Sequence, residues 1–587
     1  MESTPYREVL GFAGCQMRTS SRLVARYLRP GLVAILVLLL AVPQGQSASR
    51  IETDDLRQWL TYLASDELQG RQVYTEGLGL AAAYIADHLK EWGVKPFGDN
   101  GTYFQQVKAL GIREQSRSTV TVTVNGQTRT FKDGEGVTFA RNQGGRQTLS
   151  GAAEAVGYGL TYAPLSIDDY AGRDVKGKVA VYFGRGGAGI TGAHNRLVNA
   201  RARTAVELRG AIAAIGPTPP PPANPAAPAP VPASQRIDYT TAQRLERRVA
   251  PSITADDAFF EFLLSGTGVS YADLKAKAEK REPLPDVQLR NVQISIEVDA
   301  SYETVQTRLT RNVVGLVEGR DPSLRATYLL LGAHYDHIGY QQFTGTAPLL
   351  LNAIASCAGA TRPTPRPGDI IDNGADDDGS GTVALMALAK AFAQGARPKR
   401  SVVFVWHAGE EGGLVGSRYM ADHAVVPLDR VAAQLNIDMI GRNRCDRATE
   451  ENTVYVVGAD RISTELHNLN EEANASLSKP LTLDYELNDV SDLESIYTRS
   501  DHYSYAAKGV PIVFFTTGLH RDYHYVTDEV DKILFPKMAR ITQLVYATGW
   551  RVANLDHLPA RDNKGPRTGK DHGGRLPVDA KKVRAGS

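Results

Sequence analysis

Cysteine is nearly absent from this chain: its 587 residues include three, Cys15, Cys357 and Cys445. That excludes a disulfide scaffold and a zinc site built from thiolates, so any metal must be held by histidine and carboxylate. An excess of either charge is lacking too. Lys and Arg total 66 against 65 Asp and Glu, a net charge of +1. No global field therefore recruits nucleic acid or an anionic membrane surface. A long hydrophobic run is also missing. Residues 32–42 are apolar but short for a span of roughly 20 residues. They follow Arg18, Arg22, Arg26 and Arg29 and precede small residues at 47–49. That order of basic, apolar and small-residue regions predicts a signal peptide or leader over residues 1–48. The expected product is exported, periplasmic or secreted, touching the membrane only if the leader stays uncleaved. Cys357 and Cys445 then remain in an oxidising compartment, available for one bridge.

What is present reads as several segments. Over residues 49–111, DDLRQWLTYLA and GLGLAAAYIADHLKEWG space apolar residues as amphipathic helices, with Gly93 as a C-cap. Residues 112–297 change to short alternating strands, including TVTVTVNGQTRTF with an Asn125–Gly126 hairpin signal. This stretch carries a proline-rich insertion, residues 216–234, unsuited to any core. From residue 298 to 555, the apolar strands NVVGLVEG, ATYLLLGAH, SVVFVWHA, VAAQLNIDMIG, NTVYVVG and VPIVFFTTG alternate with helical segments. Such alternation predicts an α/β fold, a three-layer α/β/α arrangement around a mainly parallel, mixed sheet. Residues 556–587 read as a disordered basic tail.

The centre of the last region is SVVFVWHAGEEGGLVGS, residues 401–417: a buried strand, two adjacent carboxylates, Glu410 and Glu411, and a glycine turn. Open α/β sheets build their sites at the carboxyl ends of strands. Other strands end similarly. ATYLLLGAH delivers His334, with Asp336 and His337 just after it; IIDNGADDDGSG carries Asp376, Asp377 and Asp378. QLNIDMIG places Asp438 after an apolar run, and VPIVFFTTG leads to His520, Tyr523, His524 and Asp528. Histidines and carboxylates gathered from separate strand ends suit zinc. Two histidines and three carboxylates exceed one catalytic zinc and suit two zinc ions per chain, sharing a bridging carboxylate.

GAHYDHIG, NGADDDGSG, GEEGGLVGS, NIDMIGR and YHYVTDEVD resemble, in order, the motifs of the co-catalytic dizinc exopeptidases. That family includes secreted bacterial leucine-type aminopeptidases and glutamate carboxypeptidase. The stretch VGYGLTYAPLSIDDYAGRDVKGKVAVYFGRG resembles the protease-associated domain inserted in many members. The resemblance implies His334, Asp377, Glu411, Asp438 and His524 as metal ligands, with Asp377 bridging and a cis peptide after it. It implies Glu410 as general base, Asp336 as the partner orienting His334, and Tyr523 as oxyanion stabiliser. Asp528 is expected to steady the loop carrying His524. His337, His407, His502 and His520 could line the pocket, a surface or packed position being the favoured reading of each, and residues 341–368 read as the rim of the site. The carboxylate excess favours an aminopeptidase acting on peptides or proteins with a free N-terminus. The alternatives are a zinc carboxypeptidase, a glutaminyl cyclase-like acyltransferase and, last, a non-catalytic receptor-like module.

Overall fold

The computed structural model describes residues 51–219, 237–341 and 354–565. The expected leader, most of the proline-rich insertion and the end of the basic tail lie outside these. Among the described residues, no helix is long and apolar enough to cross a membrane.

The main sheet has ten strands. Seven of them, numbered in chain order, carry the argument: β1 (Phe104–Ser116), β2 (Ala300–Val317), β3 (Tyr328–His334), β4 (Ser401–His407), β5 (Val431–Ile437), β6 (Thr453–Val457) and β7 (Ile512–Thr516). They lie in the order β1-β2-β4-β3-β5-β7-β6. The central four, β4-β3-β5-β7, are parallel, while β1, β2 and β6 join antiparallel. The sheet is thus mixed, with a parallel heart.

Why that heart reads as unbroken apolar runs follows from its burial on both faces. Along β3, Leu329, Leu331 and Ala333 enter the larger core and Leu330 the opposite one; along β4, Val402, Phe404 and Trp406 alternate likewise with Val403 and Val405. The larger core is closed by α1 (Thr53–Leu63), α2 (Glu76–Glu91), α3 (Gly381–Gln394), α5 (Thr464–Ala475) and α6 (Phe535–Asn554), and the other by α4 (Val415–Asp422) with His502–Ala506. Gly93 follows α2 with φ +75°, the left-handed C-cap position that glycine fills without strain.

Eight short strands between residues 119 and 298 close into a separate barrel. Asn125 and Gly126 both have positive φ, the hairpin geometry read from their sequence. The barrel's limits differ from the expected division at 112. β1 runs on to Ser116 and pairs with β2 from Phe104 opposite Val313 to Ser116 opposite Ala300. Its second half, IREQS, is partly exposed, so its texture resembles the barrel strands although it belongs to the main sheet. The proline-rich segment also begins later than expected. Gly216 is buried in the barrel strand Ala213–Pro217, paired with Ser252–Ala255. Nor is the start of the tail loose. Glu465 accepts from Ala560 N–H at 3.1 Å, and Asp562 accepts from Thr464 N–H at 3.1 Å, fixing residues 556–562 to the start of α5.

Candidate metal centre

The four parallel strands point the same way, so their carboxyl ends converge on one cleft. His334 is the last residue of β3, and Asp438 lies just past β5. β4 runs into the turn of Glu410 and Glu411, the loop after β7 carries Tyr523 and His524, and Asp377 enters from the turn before α3. All five expected ligands meet there. The peptide between Asp377 and Asp378 is cis.

Asp377 is the hub. Its Oδ1 lies 3.3 Å from His334 Nε2 and its Oδ2 3.2 Å from His524 Nε2. Asp438 Oδ2 stands 3.6 Å from the same His334 nitrogen, and Glu411 Oε2 3.2 Å from that of His524. Asp378, its neighbour, is placed differently. Its carboxylate accepts the N–H groups of His334, Gly381 and Met439. Those bonds stabilise the cleft wall, whereas the Asp377 carboxylate lines the cleft.

Asp336 Oδ2 is buried without a hydrogen-bond partner, and Asp377 Oδ2 and Glu411 Oε1 are buried with only an imidazole nitrogen beside each and no well-aligned hydrogen bond. Buried carboxylates without donors are costly, and this donor set of carboxylates and imidazoles fits zinc. The electrostatics agree. Burial disfavours charge on His334, but Asp438 and Asp377 outweigh it and hold its pKa well above the usual range. Burial likewise opposes His524, which Glu411 and Asp377 nevertheless raise to about 9. Burial and Asp377 oppose ionisation of Glu411, yet His524 and His337 hold it at about 2. In the absence of metal, then, protons on imidazoles offset the carboxylates, and a metal entering must release them. Glu410 differs from Glu411: burial pushes it well above the carboxylate range, Glu411 and Asp501 add to the shift, and His334 opposes it.

The turn after β4 has local causes. Glu410 O accepts from Gly413 and Leu414 N–H at 2.8 and 2.9 Å, and Ala408 O accepts from Gly416 N–H at 2.8 Å. A Cβ on Gly416 would lie 2.3 Å from Asn312 Oδ1, so only glycine fits. The imidazole of His334 turns its Nδ1 to the backbone carbonyl of Asp336 at 3.1 Å, with that residue's carboxylate at 3.8 Å. Asp528 ties the loop that carries His524 to the turn of Asp377. Its Oδ2 accepts from Asp376 and Asp377 N–H at 3.0 and 3.1 Å, steadying the loop of Asp377.

A cavity of about 870 Å³ in the barrel, lined by Arg185, Asp256, Tyr271 and Glu279 among others, has no histidine. The smaller cleft at the strand ends carries the chemistry. Asp377, Glu410, Asp438, Tyr523 and His524 line it, together with Met439, Ile496, Phe514, Leu519 and Arg499.

Residues 312–549 match the model of peptidase family M28. The match covers 238 of the chain's 587 residues, the stretch that carries the strand-end cleft. A probable leucine aminopeptidase from Arthroderma otae is 24% identical over 285 residues, 44% of this chain and 68% of its own length. A probable zinc metalloprotease from Pyrenophora tritici-repentis is 31% identical over 148 residues, 24% of this chain and 27% of its own length. The chain therefore spans about a quarter of that metalloprotease. Among solved structures, an aminopeptidase from Aneurinibacillus sp. strain AM-1 aligns over 91% of this chain and 98% of its own, at 17% identity and TM-score 0.42.

Two residues at this cleft, Arg71 and Asn312, gave no signal as site residues, and a third, His337, lies closer to the expected ligands than a packed histidine would. Arg71 is buried and donates to the carbonyls of Tyr335, Asn373, Gly374 and Leu63, joining the loops of His337 and Asp377. Asn312 accepts from Ala408 N–H and donates to Gly416 O, clamping the Glu410 turn. His337 places Nε2 2.9 Å from Asp372 Oδ1 and Nδ1 3.0 Å from Glu411 Oε1. Its position beside a carboxylate of the cleft departs from a merely packed histidine. His407, His502 and His520 are packed inside, with Tyr505, the Tyr497 carbonyl and Asp376 respectively. The expected rim is partly described: Gln341 and Arg362 both donate to His524 O, at 3.4 and 3.3 Å.

Proposed function

We propose that this chain is a zinc-dependent aminopeptidase that binds two zinc ions through His334, Asp377, Glu411, Asp438 and His524. The observation that carries this reading is the pair of nests around Asp377, each carboxylate oxygen facing a different imidazole with a second carboxylate behind it. Two metals sharing one bridging carboxylate need that arrangement. His334 and Asp438 would hold one ion, Glu411 and His524 the other. Zinc bound there supplies a Lewis acid for the scissile carbonyl and lowers the pKa of water at neutral pH.

The chain's own groups do the rest. Glu410 takes the proton of the attacking water and delivers it to the leaving amine. Its raised affinity for protons, with His334 opposing, suits a group that must both accept and return one. The Tyr523 hydroxyl donates to the oxygen on which negative charge develops.

A free α-ammonium group is the substrate terminus best matched to this carboxylate-rich cleft. Arg442 is occupied by Asp446, Asp522 and Asp528, and Arg444 by Tyr455 and Glu486. Neither is available for an α-carboxylate. The cysteine pair supports export: Cys357 and Cys445 are bonded, with Cα atoms 5.4 Å apart, as oxidising compartments permit.

The test is a cleavage profile over peptides with free and acetylated N-termini, with zinc counted alongside. Two zinc ions and cleavage only of free N-termini are expected. Full activity with one zinc, or cleavage confined to free C-termini, would sink the reading.

A further inference from the structure

Arg499 is the one arginine among the residues lining the metal cleft. It sits between the turn Ile496–Thr498 and the short helix His502–Ala506. One terminal nitrogen donates to the Tyr523 hydroxyl at 2.8 Å and the other to the Glu494 carbonyl at 3.3 Å. No carboxylate among the described residues makes an ion pair with it. The Tyr523 ring in turn stacks on the imidazole of His524, with centroids 3.8 Å apart and planes inclined 25°.

Arginine has donors and no acceptor, whereas a phenol has one hydrogen to give and an oxygen that accepts. At the Arg499–Tyr523 contact the direction is therefore fixed: the phenol oxygen accepts. Its single hydrogen cannot be spent on Arg499 and stays available for the cleft shared with Asp377, Glu410 and Asp438. The His524 stack fixes the plane of the ring, and the guanidinium fixes where its oxygen stands. A cation on that oxygen also strengthens the O–H as a donor, as charge-assisted hydrogen bonds are stronger than neutral ones.

We infer that Arg499 is a positioning residue for the reaction, holding the Tyr523 hydroxyl by its oxygen so that its hydrogen is directed to the oxyanion formed during peptide hydrolysis. This rests on the aminopeptidase reading above. It places the role of Arg499 in the transition state and not in the binding of substrate or product, because the hydrogen it directs meets full negative charge only when the carbonyl becomes tetrahedral.

Leucine p-nitroanilide as substrate, leucine as product and the boronic acid analogue of leucine as tetrahedral mimic test it. Arg499→Met should lower kcat by about 10–100-fold with KM changed less than threefold. Affinity for the boronic acid should fall by a similar factor while affinity for leucine holds. Arg499→Lys, which keeps a cationic donor, should recover much of the loss. Arg499→Met added to Tyr523→Phe should cost little beyond Tyr523→Phe alone, since residues acting as a unit are not additive. Equal losses for leucine and the boronic acid would mean a merely structural clamp and overturn the inference, as would full additivity with Tyr523→Phe. If Arg499→Met does not fold, the Arg499→Lys and Tyr523→Phe cycle decides by the same criterion. A wild-type chain inactive on free N-termini would instead refute the aminopeptidase reading, so the two failures are distinguishable.

Discussion

The backbone N–H of Glu410 donates to Oδ1 of Asp336 at 3.1 Å. One carboxylate thus reaches from the strand end that carries His334 to the turn that carries the proposed base. Burial pushes Asp336 up to about 6, with His334 opposing and Glu411 adding to the shift. Asp336→Asn keeps an oxygen for the Glu410 N–H and loses only the charge near His334. Asp336→Ala leaves that N–H without its partner. We expect kcat on leucine p-nitroanilide to fall about 10-fold for Asn and about 100-fold for Ala, with little change in melting temperature for Asn.

Adjacent carboxylates should fail in different ways. Glu411 lies within 3.2 Å of the His524 imidazole, while Glu410 makes no such ion pair among the described residues. Glu410→Ala should therefore retain zinc through dialysis and lose turnover by several orders of magnitude. Glu411→Ala should lose zinc first, as metal analysis after gel filtration would record. Near-wild-type turnover in Glu410→Ala would contradict its role as base.

His337 fills the space between Asp372 and Glu411, with 2.9 Å on one side and 3.0 Å on the other. Removing such a support from a metal ligand costs about 10–100-fold in metal affinity. His337→Gln should weaken one zinc by that factor and spare the other, giving two separated steps in a zinc titration of the chelated protein. A single unchanged step would show that the histidine only packs.

Arg71 should matter more for the fold than its distance in sequence suggests. Removing it strands the carbonyls of Leu63, Tyr335, Asn373 and Gly374 without that donor in a buried setting. Each such orphan costs about 1–3 kcal/mol where water cannot reach it. Partial access by water reduces the sum, and Arg71→Met should lower unfolding stability by about 3–5 kcal/mol. Denaturant titration of the metal-free protein measures this without a contribution from zinc.

Arg71 also marks the boundary of what the sequence made legible. The expected ligands His334, Glu411 and Asp438 could be named because each lies at or just past an apolar run, a local signal, whereas Asp377 and His524 sit in loops and are named from the motif resemblance. β3, β4 and β5 carry that signal in a handful of residues each. Arg71 and Asn312 act through partners as many as 303 residues away. Nothing beside them in the chain marks an arginine or asparagine as buried. Arg499 was hidden for a similar reason: it precedes the run Ser500–Asp501–His502 in an irregular segment, with no strand to aim it. A mixed sheet was expected, but which strands run antiparallel was not, because strand direction depends on which neighbour pairs, and periodicity is blind to that.

A last expectation concerns acid stability. His502 is buried, donates Nε2 to the Tyr497 carbonyl at 2.7 Å and stacks on Phe514 at 4.4 Å. Burial lowers its pKa from 6.5 to about 3, with the Tyr497 bond and Asp501 opposing. The folded protein thus keeps this imidazole neutral where the unfolded chain protonates it. Stability from this group is complete above pH 6.5 and falls as pH drops from 6.5 toward 3, because the unfolded state binds the extra proton. At pH 5 the gap is about 1.5 pH units, or about 2 kcal/mol. His502→Gln removes the titrating group. Between pH 7 and pH 5 the wild type should then lose about 2 kcal/mol more than the variant in denaturant titrations. Protonation of the metal ligands is common to both proteins and cancels in that difference. Equal losses would mean that His502 already carries its proton in the folded state, at odds with a neutral ring stacked on Phe514.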